Sequence, residues 1–301
     1  MVTINLESTC NQNCVFCQRN RFYDRLKSPT TAEVKRLMRT SKDRSGIQFI
    51  GGGEPTMRED LSELIGYARE QGFKDIILET NGVKLSDPVY LSSLKNAGLT
   101  HCAVSLHSHI EKISDLITGA PGTFRKTLEA LNNLSREEIG VSSLLFTINS
   151  LNSGSMREFL DFIKQNFPSI KTISFCFLRP IMDDGTSRRC TPKFSDIELE
   201  VYNAIEYGKK LEFRISMGII PLCYLPGHEN LSASTNILFR KDKKSFDRDI
   251  IHPEENSKVE CCKLCYLNEL CTGISKSYLS IYGDTEFYPL FISPQSIINR
   301  G

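Results

Sequence analysis

The sequence predicts an α/β fold, in which six strand–helix units form an open or partial (β/α)6 barrel of the TIM type. Three observations predict it. Strand-like and helix-like segments alternate strictly from residue 2 to residue 207. Ile76–Leu78 of the run Asp75–Leu78 and the segment Leu144–Phe146 are continuously apolar, as strands buried on both faces are. Polar or glycine-rich residues follow every strand. Parallel strands with helical crossovers account for all three, although six units fall two short of a closed barrel.

Runs of apolar and β-branched residues bounded by turn residues define the predicted strands. The six barrel strands are expected at Val2–Leu6, Ile47–Ile50, Asp75–Leu78, Thr100–Leu106, Val141–Ile148 and Lys171–Leu178. A further strand-like run at Leu211–Ile220 follows the last unit. Because the alternation breaks there, we expect an edge or hairpin strand at this run.

Apolar residues at helical spacing define the segments between the strands. The helices are predicted at Thr30–Arg39, Leu61–Glu70, Pro88–Lys95, Thr123–Leu134, Ser155–Gln165 and Ser195–Tyr207. Gly98 is the expected stop of the third helix. One more helix is expected at Gly273–Ile281. We place a domain boundary near residue 210, between a core of residues 1–209 and a smaller cysteine-rich domain of residues 210–301.

The composition excludes several classes of protein. The chain has 301 residues, a hydrophobic fraction of 40% and a formal net charge of only +1. Nothing in it indicates a nucleic-acid surface or disorder. We find no apolar run of membrane-spanning length and no leader-like segment before the first strand. We therefore expect a soluble cytoplasmic protein with neither nucleic acid nor membrane as a partner.

Eleven cysteines is a high count for such a chain. An odd number without a secretion signal argues against a disulfide framework, and clustering argues for metal binding. One group lies near the start of the chain and another near the end. Cys102 and Cys176 lie within strand-like runs, where we expect them to be small buried apolar residues.

The first group is Cys10, Cys14 and Cys17, directly after the first strand. Their spacing suits one loop that presents three thiolates to a single inorganic centre. Structural zinc takes four protein ligands. Three thiolates suit a cubane iron–sulfur cluster in which one iron stays open to a reactive ligand.

Special residues also follow the other strands, at the edge where a parallel α/β barrel binds its ligands. They are Gly51, Gly52, Gly53, Glu54 and Pro55 after the second strand, Thr80–Gly82 after the third, Ser105 and His107 at the fourth, Asn149 after the fifth, and Arg179 after the sixth. Core packing does not require polar residues at every strand end. The pattern therefore indicates a binding site along this edge.

A three-cysteine loop after strand one, combined with a Gly-Gly-Glu-Pro turn after strand two, strongly resembles the radical S-adenosylmethionine (radical SAM) enzymes over about residues 2–207. The resemblance implies that Cys10, Cys14 and Cys17 form the catalytic centre by holding a [4Fe-4S] cluster whose open iron binds S-adenosylmethionine. The glycines and Pro55 would bring backbone close to the methionine moiety. Glu54 would offer its carboxylate to the ammonium group.

Other cofactor contacts are also implied by the resemblance. Phe16 takes the aromatic position near the adenine. Ser105, His107 and Asn149 match polar positions that contact the methionyl carboxylate and the ribose. Arg179 would lie near the adenine or the carboxylate, and His107 has the alternative of a hydrogen-bonded histidine at a strand end. The family cleaves the cofactor with one electron, here expected from a flavodoxin or ferredoxin, and the 5′-deoxyadenosyl radical takes a hydrogen atom from the substrate.

The second cysteine group is Cys262, Cys265 and Cys271, followed by Thr-Gly. It resembles the auxiliary-cluster region of the SPASM and twitch subfamilies, although Ser275 stands where a fuller SPASM pattern has a further cysteine. One auxiliary [4Fe-4S] cluster would take these three residues and Cys223. Cys261 is either a bystander or the ligand in place of Cys262. We favour Cys262 as the ligand. The spacing does not exclude zinc.

Several functions follow from these resemblances. The leading hypothesis is maturation of a ribosomally made peptide, through a crosslink, thioether or related change. The alternative is dehydrogenation or another modification of a small polar metabolite such as a sugar or aminocyclitol. A non-catalytic iron–sulfur electron carrier is a remote alternative. Because strand one begins at residue 2, we expect no fused peptide-binding domain. A peptide would then need a separate recognition protein or direct docking.

Overall fold

The computed structural model describes residues 1–17, 28–180, 185–232 and 255–298. Its main sheet has seven strands that are hydrogen-bonded in chain order, and the described registers between neighbours are parallel. The strands are β1 (Val2–Asn5), β2 (Gly46–Ile50), β3 (Asp75–Thr80), β4 (His101–Ser105), β5 (Gly140–Ile148), β6 (Thr172–Phe177) and β7 (Arg214–Gly218). The predicted α/β fold with a parallel sheet is confirmed.

The seventh strand corrects one prediction. The run predicted as an edge or hairpin strand contains β7, which pairs parallel to β6 from Thr172↔Arg214 to Cys176↔Gly218. It ends the strand order, so the edge position is right and the hairpin is wrong. A 17-residue helix, Phe194–Lys210, separates the two strands and is long enough to return the chain for parallel pairing. The alternation therefore runs one strand further than predicted.

The helices mostly match the predicted segments within a few residues. In the described ranges they are α1 (Thr31–Thr40), α2 (Leu61–Glu70), α3 (Pro88–Ala97), α4 (Glu111–Thr118), α5 (Thr123–Arg136), α6 (Met156–Asn166), α7 (Gly185–Cys190), α8 (Phe194–Lys210), α9 (Lys276–Tyr282) and α10 (Pro294–Ile298). The sequence did not predict α4, α7 and α10. The helix expected from Gly273 begins later because Ile274–Ser275 forms β9, which pairs antiparallel with β8 (Asn256–Ser257).

Capping residues set the helix starts. Thr30 is not the first residue of α1 but its N-cap, and it forms a capping box with Glu33. Asp87 caps α3 by accepting a hydrogen bond from the Val89 N–H at 2.9 Å. Pro88 then occupies the first turn, where its missing N–H costs nothing. These local signals explain why the predicted starts of α1 and α3 are wrong by one residue at most.

The chain divides into two compact units. The first comprises Met1–Leu145 with Phe162–Lys171, and the second comprises Phe146–Asp161 with Thr172–Gly301. The division predicted near residue 210 stays a prediction. In the second unit, aromatic rings form much of the core, with centroids 4.6 Å apart for Phe194 and Tyr278. Within the described ranges, every helix is too short or too polar to traverse a bilayer.

In the first unit the sheet has one apolar and one mixed face, because successive side chains of a strand point to opposite sides. Phe49, Leu78 and Val104 lie on the apolar face and are fully buried. Gln48 on β2 lies on the other face. The register places Glu79 of β3 and Ser105 of β4 on that same face, since residues paired in a sheet share a side. One face thus forms the core, and the other carries polar groups.

Candidate active site

The first cysteine group forms the loop of residues 10–17 in the first unit, just beyond β1. Cys10, Cys14 and Cys17 are half-buried cysteines. The Gln12 N–H donates to Cys10 Sγ at 3.4 Å, and the Cys17 N–H donates to the Cys14 carbonyl at 2.9 Å. Main-chain donors to cysteine sulfur are among the groups that tune iron–sulfur clusters. The loop thus presents three thiols with at least one sulfur already hydrogen-bonded.

The end of α4 anchors this loop. The Asn13 and Val15 N–H groups donate to the carbonyls of Thr118 and Ile117, both at 2.9 Å. Gly119 follows with φ of +60°, and a Cβ there would lie 2.5 Å from the Asn13 carbonyl oxygen. Sequence reasoning missed this helix, although the Thr-Gly ending was a usable helix-stop signal. The cysteine loop is therefore fixed by a helix that is distant in sequence.

The glycine-rich turn after β2 packs directly against the segment that leads into the loop. The Gly53 N–H donates to the Glu7 carbonyl and the Glu54 N–H to the Thr9 carbonyl, both at 2.7 Å. A Cβ on Gly53 would lie 2.0 Å from the Thr9 oxygen, and one on Gly51 would lie 2.6 Å from the Gly53 oxygen. The predicted approach of these glycines to a methionine moiety stays a prediction. Packing within the protein already requires glycine at position 53, because only a residue without Cβ fits there.

The Glu54 carboxylate links this turn to the end of β3. Its Oε1 accepts hydrogen bonds from the Thr56 N–H at 3.1 Å and the Thr56 hydroxyl at 2.7 Å. It also accepts from the Thr80 hydroxyl at 2.6 Å, while Oε2 accepts from the Asn81 N–H at 2.8 Å. Burial raises the pKa of Glu54, and these hydrogen bonds oppose the rise. Its role toward an ammonium group stays a prediction.

Asn81 connects the end of β3 to the cysteine loop, a role that its place at a strand end did not predict. Its Nδ2 donates to Asn11 Oδ1 at 2.6 Å and lies 3.9 Å from Cys10 Sγ. Its Oδ1 accepts from the Val83 N–H at 3.0 Å. Glu54 and Asn81 together join the glycine turn, the β3 end and the cysteine loop in one hydrogen-bonded chain.

We expect Asn81→Ala to impair cofactor cleavage by about 10- to 100-fold, the usual cost of removing an outer partner of a metal ligand. The reduction potential of the cluster should also fall, because a donor to sulfur stabilises the more negative reduced state. Potentiometric titration followed by electron paramagnetic resonance measures this shift. Asn132→Ala on α5 is the control. An unchanged potential in the Asn81 variant contradicts the assignment.

Phe16 and His107, two residues with predicted cofactor contacts, lie next to each other in the structure. Their rings meet edge to face with centroids 5.0 Å apart. His107 is buried, and burial lowers its pKa to about 4, so the imidazole is neutral at pH 7. Ser105 is the half-buried last residue of β4. These positions agree with a shared site, and the individual cofactor contacts stay predictions.

Asn149 and Arg179 belong to the second unit. Asn149 is fully buried, and its Oδ1 accepts from the Leu151 N–H at 2.9 Å. The Arg179 guanidinium forms an ion pair with Glu255 at 2.6 Å. Both residues thus have protein partners, and their predicted contacts with the cofactor remain untested predictions.

The second cysteine group also lies in the second unit. The Cys265 and Cys271 sulfurs accept main-chain N–H groups of Leu290 and Gly273, both at 3.4 Å. Both cysteines pack against the buried cluster of Leu222, Leu267 and Ile297. Burial raises the pKa of Cys223, and the neighbouring Cys271 and Cys262 thiols raise it further. Cys223 therefore lies close enough to the late cysteines to interact with them electrostatically.

Cys261 and Cys262 are not distinguished by exposure, since both are half-buried. Burial raises the pKa of Cys261, and its neighbour Cys262 raises it further. Within the described ranges, no three Cys, His, Asp or Glu side chains converge on a single metal ion. A cubane cluster places one thiolate on each of its irons and does not require such convergence. The choice between the two cysteines remains a prediction.

Comparison with known proteins identifies the class. The model of the radical SAM superfamily matches residues 4–163, more than half of the chain. The chain therefore belongs to the radical SAM superfamily and is an enzyme of that superfamily. The three cysteines of the first loop and the glycine turn beside it fit the superfamily's [4Fe-4S] cluster and S-adenosylmethionine.

Particular relatives have diverse names. The chain is 36% identical over 170 residues to an Fe-coproporphyrin III synthase of Methanosarcina barkeri, covering 55% of this chain and 41% of the relative. It is 32% identical over 226 residues to a probable GTP 3′,8-cyclase of Thermococcus kodakarensis, covering 73% and 72%. The chain spans only 21% to 56% of the length of the first three curated relatives it matches.

Solved structures share the fold. Streptococcus suis SuiB bound to the precursor peptide SuiA matches with a TM-score of 0.64 and 14% identity, over 97% of this chain and 75% of that chain. The enzyme anSMEcpe with bound AdoMet and the Cp18Cys peptide matches with a TM-score of 0.63 and 17% identity, over 95% and 91%. At these identities the likeness concerns the fold alone.

Proposed function

We propose that this radical SAM enzyme modifies a ribosomally made peptide by abstracting a hydrogen atom from it. The observation that carries the proposal is the hydrogen-bonded chain from Glu54 through Asn81 to the loop of Cys10. This series of hydrogen bonds fixes the glycine turn relative to the cysteine loop. Its parts lie at the carboxyl ends of strands, where parallel α/β proteins bind ligands.

In this proposal the residues of the first unit hold and orient the cofactors. Cys10, Cys14 and Cys17 bind the cluster, and the glycine turn and Phe16 position S-adenosylmethionine. When bound and reduced, these groups supply a 5′-deoxyadenosyl radical that takes the substrate hydrogen. The neutral His107 contributes a hydrogen bond without adding charge. Buried packing around it keeps water from the site.

We further propose an auxiliary [4Fe-4S] cluster of the SPASM or twitch type in residues 210–301. Its ligands are Cys223, Cys262, Cys265 and Cys271. The electrostatic coupling of Cys223 to Cys262 and Cys271 supports this set. Main-chain N–H donors to the Cys265 and Cys271 sulfurs support it as well. Its task is to accept an electron or to place the substrate.

Two classes of substrate are supported by different relatives. The peptides in the SuiB and anSMEcpe structures support a peptide. The names of the sequence relatives, a coproporphyrin synthase and a GTP cyclase, support a small polar metabolite as the second candidate. We propose the cytoplasm as the location and a flavodoxin or ferredoxin as the electron donor. A separate recognition protein would deliver the peptide if it does not dock directly.

Anaerobic reconstitution tests the core of the proposal. The reconstituted chain should form 5′-deoxyadenosine from S-adenosylmethionine and dithionite. Incubation with candidate peptides, deuterated at the reacting carbon, should transfer deuterium into that product. If no 5′-deoxyadenosine forms, the enzymatic proposal is refuted. If it forms but only metabolites transfer deuterium, the second candidate replaces the peptide.

We expect the reconstituted chain to hold about eight iron atoms and eight sulfides, since two [4Fe-4S] clusters contain that number. Cys265→Ala should lower both counts to about four. It should keep some cleavage of the cofactor but lose the product, because the first loop stays intact. Elemental analysis and product chromatography measure these outcomes. About four iron atoms with one zinc in the unaltered chain would remove the auxiliary cluster from the proposal.

A further inference from the structure

The polar face of the first unit's sheet carries side chains that the cofactor proposal does not use. Gln48, in the middle of β2, and Glu79, next to last in β3, lie on the same face as Ser105. Gln48 Nε2 donates to Glu79 Oε2 at 3.0 Å. This pair lies at the same edge of the sheet as the predicted cofactor contacts. A ligand bound along that edge would meet it.

Glu79 is an acid without a counter-ion. Within the described part of the chain, Gln48 provides the one hydrogen bond recorded to its carboxylate, and no Lys or Arg forms an ion pair with it. Burial, opposed by the Gln48 hydrogen bond and helped by the neighbouring Glu54, raises the pKa of Glu79 to about 7. Oε1 is left to accept a hydrogen bond. A half-buried carboxylate in this state gains most from a ligand that brings positive charge.

A second polar group on this face is also unsatisfied. Thr3 of β1 pairs in register with Gln48 and so shares its side of the sheet. Within the described residues its Oγ1 is buried and has no hydrogen-bond partner. Buried polar groups normally have partners, and an orphaned one points to a missing ligand or water. Asn5, next on the same face, is already used, because its Oδ1 accepts from the Gly52 N–H at 3.0 Å.

We propose that Gln48 and Glu79 form a specificity site that binds an amino or guanidino group of the substrate. Glu79 Oε1 accepts a hydrogen bond from the cationic group, while Gln48 holds the carboxylate in place through Oε2. The inference rests on the proposed function, since it names the substrate class of the same site. For a peptide, the group is a lysine or arginine side chain. For a metabolite, it is an amine such as that of an aminosugar.

Charge complementarity predicts how binding depends on pH. The groups facing Glu79 are neutral Gln48 from β2, Ala103 and Ser105 from β4, and the Glu54 carboxylate from the glycine turn. His101 lies on the same face at the start of β4. A cation binds only the ionised form of Glu79, so affinity rises as the pH rises through about 7. We expect about tenfold tighter binding at pH 8 than at pH 6.

Calorimetric titration of the reconstituted, S-adenosylmethionine-bound protein tests the site without relying on turnover. Each probe is compared with its neutral counterpart: acetyl-Gly-Lys-Gly-amide with its Nε-acetyl-lysine form, and 6-amino-6-deoxyglucose with 6-acetamido-6-deoxyglucose. We expect one charged probe to bind at least about tenfold more tightly than its counterpart at pH 8. The probe that binds also identifies the source, peptide or metabolite.

Glu79→Gln should weaken binding of that probe at least about tenfold and abolish its dependence on pH. The matched control is Asp75→Asn, which neutralises an exposed carboxylate at the opposite end of the same strand. It should leave both properties unchanged. Equal affinity for charged and neutral probes, no binding of either charged probe, or unchanged binding in Glu79→Gln overturns the inference. Failure of the proposed function is seen separately, as absence of 5′-deoxyadenosine from the unaltered enzyme.

Discussion

Cys14→Ala is expected to reduce 5′-deoxyadenosine formation by more than about a hundredfold. Removing an outer hydrogen-bond partner of a metal ligand usually reduces metal affinity or activity by about 10- to 100-fold. Removing a ligand itself should reduce activity by more than that. Cys14 is the middle thiol of the loop, and its carbonyl accepts the hydrogen bond that closes the loop at Cys17. Removing the side chain leaves this backbone bond in place. The defect should therefore come from the lost thiolate and not from a misfolded loop.

The matched control for this variant is Cys102→Ala. Cys102 is a fully buried thiol in β4, so the substitution removes a sulfur from the same unit but not from the cysteine loop. It should retain cleavage, with a small loss of stability from the cavity. The iron content of Cys14→Ala should fall to about half that of the unaltered chain. Cleavage in Cys14→Ala within tenfold of the unaltered chain contradicts the assignment of Cys14.

Gly53→Ala should both destabilise the chain and impair cleavage. The added Cβ would lie 2.0 Å from the Thr9 carbonyl oxygen, so one of two backbone segments must move. Overpacking of this kind costs about 1–3 kcal/mol. The movement would also break the 2.7 Å hydrogen bonds from Gly53 and Glu54 to the segment leading into the cysteine loop. Thermal unfolding and 5′-deoxyadenosine formation measure the two effects.

Gly66→Ala is the control for this substitution. Gly66 lies inside α2, and its added Cβ would meet nothing nearer than the Ala97 carbonyl oxygen at 4.0 Å. Alanine is favoured over glycine inside a helix by up to about 1 kcal/mol, so stability should rise or stay level. Cleavage should be unaffected. If both variants unfold at the same temperature, the close approach at Gly53 does not limit the stability of the chain.

Much of the fold was predictable because its signals are local. Continuous apolar runs marked the parallel strands, and capping residues such as Thr30 and Asp87 marked helix starts within a residue or two. The seventh strand was misread because Arg214–Gly218 is short and follows a long helix, which gives no sign of its pairing partner. α4 was missed because it is short and starts without a side-chain cap. Both errors concern elements defined by tertiary packing.

The site was predictable in its chemistry but not in its connections. Spacing singled out the three cysteines of the first loop, because cluster ligation needs thiolates. The place of the glycine turn at a strand end and the resemblance to radical SAM enzymes singled out that turn. Asn81 and Gly119 were not assigned, because their importance lies in contacts with residues far away in sequence. Glu79 lay outside the predicted strand Asp75–Leu78, whereas it belongs to β3 and lies on its polar face. The register of neighbouring strands determines that face.

By itself the sequence determined the parallel α/β class, the cysteine loop and the resemblance to radical SAM enzymes. These depend on periodicity and on the types of residue that a reactive centre needs. Only the tertiary structure decided which groups meet: Gly53 against Thr9, Asn81 against Cys10, and Glu79 beside Gln48. The physical reason is that strand register and crossover packing set distances between segments remote in sequence, and hydrogen bonds and pKa values depend on those distances.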